Sequence, residues 1–365
     1  MIYLDNQATT PLAPEAREAM LPWLAGPEAM GFANPHSAHK PGRAAAAAVE
    51  VARDQIATLL PPGGRIVFTS GATEAINLAI KGTARRDGTN VFAASAIEHA
   101  AVLDCGEALR HCSEVHILPV DRDGLVDPDA PIPGQLQLLA VMHVNNEIGT
   151  IQPVEQLVER VRDAGGYLLC DAVQSFGKLA LPTGPDLIAV SAHKIYGPKG
   201  IGALWVRDGV GIEPLMHGGG QEQGLRSGTL SPALCAGFGA AAALARTRMA
   251  ADAAHVSELW NLARGILTGW TLNGSAEKRW KGNLNIRRVG LDVARLMSDL
   301  RTIAFSAGSA CASGSGRPSH VLRAIGLTDA EAKSSIRLGF GRYSTREQIE
   351  DACARIEAAA VAQGV

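Results

Sequence analysis

The stretch LIAVSAHKIYGPKG, residues 187–200, decides the class of fold. It opens with a short run of apolar residues, continues with a serine, a histidine and a lysine, and ends in a Gly-Pro turn. A continuous apolar run of this length is typical of a strand that is buried on both faces of a parallel sheet. Ligands of such sheets bind beyond the carboxyl ends of the strands. We therefore expect Lys194 at the edge where a ligand would bind.

On both sides of this stretch the sequence alternates between short apolar runs, which predict strands, and longer segments with a helical pattern. It predicts an α/β fold with a mostly parallel central sheet and helices on both faces. The predicted strands are 65–69, 89–94, 136–144, 167–170, 187–191 and 201–207, and the predicted helices are 73–85, 100–111, 153–164 and 230–254. After residue 255 the chain mixes helices with short strands, which indicates a smaller α+β domain. We expect residues 12–254 to form the large domain, and residues 1–11 with 255–365 the small one.

Composition and charge argue against several classes of protein. The 365 residues are 47% hydrophobic and 19% charged, which favours a folded chain of about two domains over disorder. A formal net charge of −2 without long runs of like charge argues against binding to nucleic acid or to an anionic membrane. Residues 227–245 are uncharged but rich in small residues, so they predict a packed helix and no membrane span. The first residues lack the features of an export signal, so we expect a cytoplasmic protein.

The cysteines give no sign of a metal centre. The six are widely spaced and form no C-x-x-C pair, which favours reduced thiols and predicts no metal site. Five of them have no distinctive local pattern. Cys311 instead lies among glycines and serines, a composition too small and polar for a core, and this predicts an exposed loop that could present a reactive thiolate.

Polar residues follow several of the predicted strands. The glycine turn at 69–74 opens a helix whose amides could hold a phosphate, although on its own a simple helix cap is the more common explanation of such a turn. His99 follows the second strand, Asn146 the third, and Asp171 the fourth, each with an ordinary structural explanation of its own. Lys194 differs because an apolar strand and a rigid turn enclose it, and a desolvated lysine forms a Schiff base with an aldehyde.

Together, these residues are the parts that pyridoxal 5'-phosphate requires: a lysine, a carboxylate for the ring nitrogen and an anion site. The motifs YLDN (3–6), TSGATE (69–74), HVNNEIG (143–149), DAVQ (171–174), SAHKIYGPKG (191–200) and RSGT (226–229) resemble those of the class V aminotransferase family. SAGSACASG (306–314), followed by PSHVL (318–322), resembles the cysteine desulfurases of the NifS/IscS type. The similarity runs from about residue 3 to 350 and implies a fold type I enzyme.

The resemblance assigns roles to residues of this chain. Lys194 would bind the cofactor, Asp171 would face the ring nitrogen, and His99 would stack on the ring and move protons. The phosphate would be held by Ala72, Thr73, Ser191 and His193, and the ring hydroxyl would be surrounded by Asn146 and Gln174.

Three further roles concern the substrate and a partner subunit. Arg337 would grip the substrate carboxylate, helped by Asn34, because a planar guanidinium suits bidentate binding. The family's threonine in the RSGT motif reaches the phosphate of the neighbouring subunit. Thr229 therefore predicts a homodimer with shared sites.

The implied reaction removes sulfur from L-cysteine, giving L-alanine and a persulfide on Cys311 for a sulfur-acceptor protein. The acceptor could be an iron-sulfur cluster scaffold, a tRNA-thiolation protein or a DNA-modification system. The chain ends about 20 residues after the RYST motif at 342–345, whereas family members with a cluster-scaffold partner carry a longer tail. The sequence therefore does not distinguish among these three acceptors. A selenocysteine lyase or another β-eliminating class V enzyme is the alternative among enzymes of this fold, and a catalytically silent scaffold or thiol carrier that keeps the same fold is the alternative from a different functional class.

Overall fold

The computed structural model describes residues 1–24, 26–84, 90–308 and 318–365. The helices in these ranges are α1 (Pro14–Met20), α2 (Lys40–Ala57), α3 (Ala72–Gly82), α4 (Ala100–Ala108), α5 (Val154–Asp163), α6 (Pro232–Ile266), α7 (Val293–Asp299), α8 (His320–Ala324), α9 (Asp329–Lys333) and α10 (Arg346–Val361). The strands are β1 (Ile2–Tyr3), β2 (Gly64–Thr69), β3 (Asn90–Ser95), β4 (Ser113–Leu118), β5 (Leu136–Ala140), β6 (Tyr167–Asp171), β7 (Leu187–Ser191), β8 (Gly202–Arg207), β9 (Thr271–Leu272), β10 (Asn283–Arg287), β11 (Ile303–Ala304), β12 (Ser306–Ala307) and β13 (Ser335–Gly339).

A seven-stranded sheet forms the centre of the protein, in the order β2-β8-β7-β6-β5-β3-β4. The strands from β7 to β4 in this order run parallel, and β8 is antiparallel to both of its neighbours. The prediction of a mostly parallel sheet is therefore confirmed. β8 reverses direction because only residues 192–201 separate it from β7, and a parallel crossover needs a dozen residues or more.

Helices cover both faces of this sheet, as the sequence predicts. Apolar side chains of α2, α5 and α6 form the core on one face, and those of α3 and α4 form it on the other. Every residue of β5 and of β7 is buried, which explains why both strands have unbroken or nearly unbroken apolar sequences. The sequence prediction missed β4, because it is an edge strand whose alternating polar residues weaken the signal.

A second sheet, in the order β12-β13-β10-β9, is antiparallel throughout. It shares an apolar core with α7, α10 and the second half of α6. β1 pairs with β11, so the start of the chain joins this part of the molecule. α6 runs 12 residues past the predicted end at residue 254, because no glycine or proline interrupts it before Gly265. The domain boundaries stay a prediction.

Membrane-spanning helices are absent from the described ranges, where no helix combines enough length with enough apolar character.

The close approach of β8 to the turn before α3 makes Gly202 sensitive to substitution. A Cβ atom at Gly202 would lie 2.6 Å from the carbonyl oxygen of Val190 and 2.7 Å from the carbonyl carbon of Gly71, and backbone cannot yield cheaply. We expect Gly202→Ala to lower the free energy of unfolding by roughly 1–3 kcal/mol, as overpacking does. Urea unfolding measures this. Gly265→Ala is the control, because nothing lies within 4 Å of that position in α6; equal destabilisation by both variants would contradict the explanation.

Candidate active site

One cavity of about 590 Å³ is lined by residues at and beyond the carboxyl ends of β2, β3, β5, β6 and β7. This is the edge at which parallel sheets bind ligands. Ten of the residues predicted for the site line the cavity: Ala72, Thr73, His99, Asn146, Asp171, Gln174, Ser191, His193, Lys194 and Arg337. Residues from four of the quoted motifs, together with His99 and Arg337, therefore meet in one place.

Three predicted residues are not part of this lining. Asn34 is exposed, and its Oδ1 accepts a hydrogen bond from the backbone N–H of His36. Thr229 is also exposed and lies outside the cavity. Cys311 lies outside the described residues.

The turn after β7 holds Lys194 at the cavity wall. Its Nζ donates hydrogen bonds to the carbonyl oxygens of Gln7 at 2.5 Å and Ala8 at 2.8 Å. The turn closes through Tyr196, which has a φ of 69° and whose N–H donates to Thr10 Oγ1 at 2.7 Å. A bulky residue at positive φ is strained, and such strain is common where a fold fixes a functional side chain. The N-terminal segment therefore orients the lysine, a contact that the sequence did not reveal.

The N-terminus of α3 offers an anion site. Gly71 occupies the N-cap position, and no side chain caps the helix there. The free amides at the start of a helix and its dipole favour a phosphate. Lys199 and His193 line the same cavity. Burial lowers the pKa of His193 to about 4, so His193 is neutral near pH 7 and Lys199 adds positive charge.

Asp171 and His99 form the pair of titratable groups at the ends of β6 and β3. Burial raises the pKa of Asp171, although the nearby His99 opposes this shift. Burial likewise lowers the pKa of His99, with Asp171 acting in the opposite direction. The Nδ1 atom of His99 accepts the backbone N–H of Ala101 at 3.0 Å. In the neutral ring, Nε2 therefore carries the proton.

Gln174 supplies an amide oxygen that has no hydrogen-bond partner among the described residues. Its Nε2 donates to the carbonyl oxygen of Gln7 at 3.0 Å, while its buried Oε1 is left unpaired. A buried unpaired acceptor beside a cavity fits a ligand hydroxyl. The amine of Lys194, the carboxyl of Asp171, the uncapped α3 and this oxygen together fit pyridoxal phosphate.

Arg337 is fully buried, and most of its guanidinium is already engaged. Nη2 donates to Asp5 Oδ1 at 2.7 Å, and Nη1 donates to the carbonyl oxygen of Asn146 at 3.0 Å. Its Nε has no partner among the described residues. Asp5 therefore fixes the arginine at the cavity. The YLDN motif contains this aspartate, but no sequence pattern pairs it with a residue more than 300 positions away.

Glu98 is a fully buried carboxyl directly before His99. Its Oε1 accepts hydrogen bonds from Ser95 Oγ at 2.5 Å and from the N–H of Met142 at 2.8 Å. Burial nevertheless raises its pKa to about 8, because removal from water outweighs both donors. A neutral acid therefore supports the loop that carries His99.

This pKa predicts a pH dependence of stability. The ordinary pKa of a glutamate is 4.5, and the folded state raises the pKa of Glu98 to about 8. The stabilising contribution of Glu98 is therefore full below pH 4.5 and is lost as the pH rises through 8, at roughly 1 kcal/mol per pH unit. Glu98→Gln cannot ionise, so we expect its free energy of unfolding to decline less between about pH 5 and 8. Denaturant titrations measure the slopes. Glu107→Gln, at an exposed carboxylate, is the control; a wild-type slope in Glu98→Gln would refute the assignment.

Comparison with known proteins places the chain in a family. The profile of the family "Aminotransferase class-V" matches residues 2–351. The chain is 43% identical over 369 residues to "Cysteine desulfurase IscS" of Rickettsia bellii, covering 96% of this chain and 88% of that relative. The solved structure of a NifS-like protein has a TM-score of 0.89 at 32% identity and covers 98% of both chains. The structure "SspA in complex with cysteine" has a TM-score of 0.81 at 36% identity, covering 94% of this chain and 100% of that one. The chain therefore belongs to the class V aminotransferase family, in the branch formed by the pyridoxal-phosphate-dependent cysteine desulfurases.

Proposed function

We propose that this protein takes the sulfur atom from free L-cysteine, producing L-alanine and a persulfide on Cys311. The observation that carries the proposal is the single cavity in which Lys194, Asp171, Arg337 and the uncapped start of α3 meet. A lysine, a buried carboxyl and an anion site are the set that the cofactor needs. A buried arginine in the same cavity suits an amino acid substrate.

Pyridoxal phosphate, when bound, supplies an aldehyde for the substrate amine and a ring that accepts electron density from the α-carbon. Lys194 holds the cofactor at rest and afterwards accepts the α-proton at Nζ. The carbonyl oxygens of Gln7 and Ala8 keep Nζ in place. Asp171 keeps the ring nitrogen protonated, and His99 donates a proton from Nε2 within the cavity.

Arg337 is the candidate ligand for the substrate carboxylate. Its side chain lines the cavity and is held in one orientation by Asp5 and Asn146. A fixed guanidinium binds a carboxylate with little loss of conformational entropy. We keep Asn34 as a second candidate, although it is outside the cavity lining of this chain.

Cys311 completes the reaction. Its thiolate attacks the sulfur of the substrate, so that a sulfur–sulfur bond forms and the carbon–sulfur bond breaks. The electron pair of that bond stays with the substrate carbon, which is protonated to give alanine, and the persulfide remains on Cys311. The balance needs no external oxidant. A sulfur-acceptor protein then takes the terminal sulfur by thiol exchange, and iron-sulfur cluster assembly is one such destination. The five described cysteines are free thiols, which supports a reducing, cytoplasmic location.

Two substitutions separate the roles of the lysine and the cysteine. Lys194→Ala should lose the visible absorption of the bound cofactor and reduce alanine formation at least about 100-fold, since both attachment and the base are lost. Cys311→Ser should bind the cofactor normally and release no sulfide from cysteine. Absorption spectra and sulfide assays measure both effects. Cys112→Ser, at an exposed cysteine without a motif, is the control.

Normal sulfide release by Cys311→Ser would contradict the proposal. If that variant still acted on selenocysteine but not on cysteine, a selenocysteine lyase would be the better description.

A homodimer with shared sites is the second part of the proposal. Thr229 lies outside the cavity of its own chain, which leaves it available to a partner's site. Leu24, Met30 and Phe32 each expose half or more of their surface in one segment near the N-terminus. Clustered exposed apolar residues mark interaction surfaces. These observations support a second copy of the chain as the partner.

Mixed dimers test the sharing of sites. Lys194→Ala and Thr229→Val chains are each expected to be impaired alone, because each lacks one component of every site. In a mixed dimer, one site would combine native Lys194 with native Thr229 from the other chain. We expect about half of the wild-type activity per dimer for that reason. Purified mixed dimers carrying two different affinity tags give the measurement, and mixed dimers without recovered activity would contradict shared sites.

A further inference from the structure

We propose that Glu147 is a positioning residue for sulfur transfer, because it links Gly308 and Ser319, which lie on either side of the stretch 309–317 that carries Cys311, to the cofactor cavity. The inference rests on the proposed role of Cys311. It concerns only the described residues on either side of that stretch.

Ser319, which follows the stretch, is held by the side chain of Glu147. Ser319 Oγ donates a hydrogen bond of 2.5 Å to Glu147 Oε2. Ser319 Oγ also accepts the N–H of Leu322 at 3.1 Å and so caps α8. Val321 and Leu322 pack in an apolar cluster with Ile148, the residue after Glu147. The position of α8 is therefore set by a polar and an apolar contact with the same turn.

Gly308, which precedes the stretch, is held next to the backbone of Glu147 by the side chain of Asn285. Asn285 Nδ2 donates both to the carbonyl oxygen of Glu147 at 3.0 Å and to that of Gly308 at 3.1 Å. Gly308 also donates its N–H to the carbonyl oxygen of Ser335 at 2.8 Å. Asn285 is fully buried, so water does not compete for these bonds. One amide group thus holds Gly308 and Glu147 together.

Glu147 is itself tied to the cavity. Its N–H donates to Asn145 Oδ1 at 2.8 Å. The residue between them, Asn146, lines the cavity and accepts Arg337 Nη1 on its carbonyl oxygen. These contacts of the turn do not use the Glu147 side chain. Loss of the side-chain hydrogen bond to Ser319 would therefore release α8 while the turn still holds Arg337 at the cavity.

The chemistry of Glu147 is unusual for a purely structural residue. The side chain is 3% exposed, and burial raises its pKa to about 7. Burying a carboxyl group is costly, whereas a glutamine could accept the same hydrogen bond without a charge to desolvate. The hydrogen bond to Ser319 is therefore the property to test, separately from the charge.

Four variants of the cofactor-loaded enzyme separate positioning from stability. Glu147→Leu removes the acceptor, and Glu147→Gln keeps it. Ser319→Gly removes the hydroxyl but leaves a residue that is tolerated at a helix N-cap. Thr328→Gly is the matched control, because Thr328 caps the equally short α9 and lies outside the lining of the cavity.

Two rates are measured after mixing with L-cysteine: the absorption change of the cofactor, and the appearance of persulfide on Cys311 by mass spectrometry. We expect Glu147→Leu and Ser319→Gly to slow persulfide formation at least about tenfold while the absorption change keeps its wild-type rate. We expect Glu147→Gln to stay within about twofold of wild type, and Thr328→Gly to be unchanged. These magnitudes follow from the loss of one buried hydrogen bond.

Wild-type persulfide formation in Ser319→Gly would overturn the inference, and this variant suffices if Glu147→Leu does not fold. Equal slowing of both rates would overturn it as well, because the effect would then lie in the cofactor cavity. If Glu147→Gln slowed persulfide formation as much as Glu147→Leu does, the effect would come from the charge of Glu147 and the hydrogen bond to Ser319 would not explain it. In all these cases Cys311→Ser would still be inactive; only persulfide chemistry independent of Cys311 would refute the proposed function.

Discussion

The site depends on one topological constraint: parallel strands end at the same edge of a sheet that is buried on both faces. β3, β5, β6 and β7 each end there, and the residue or turn that follows each strand contributes a polar group to the cavity. Because helices cover both faces of the sheet, these groups are presented to a ligand at that edge, together with Arg337 and the N-terminal residues 7–9.

The N-terminal segment completes this arrangement. Within four residues, Asp5 orients Arg337, and the carbonyl oxygens of Gln7 and Ala8 hold Lys194. The same segment follows β1, which pairs with β11 of the second sheet. A short piece of chain therefore sets the position of the cofactor lysine relative to the candidate substrate ligand. A change that weakens the contact between the two sheets would therefore also disturb the geometry of the site.

The strand ends and their chemistry could be predicted from the sequence, because buried parallel strands have unbroken apolar runs and glycine turns follow them. The exact limits of β7 were predicted correctly for this reason. The pairing of Asp5 with Arg337 could not be predicted, since it joins residues that only the fold brings together. Glu147 lies in the HVNNEIG motif and Glu98 directly precedes His99, but the perturbed pKa values of both carboxyls arise from burial, which a sequence does not show. The antiparallel direction of β8 follows from the short connection of residues 192–201 between β7 and β8.

The central claim is that Lys194, among the lysines near the cavity, forms the bond to the cofactor. Two others could compete: Lys199 lines the cavity, and burial together with the charge of Lys194 lowers the pKa of Lys178 to about 7. Borohydride reduction of the cofactor-loaded protein makes the bond permanent, and peptide mass spectrometry then locates it. The account predicts the modification on Lys194 alone. Modification of Lys178 or Lys199 in place of Lys194, or no modification of a protein that forms alanine from cysteine, would contradict it.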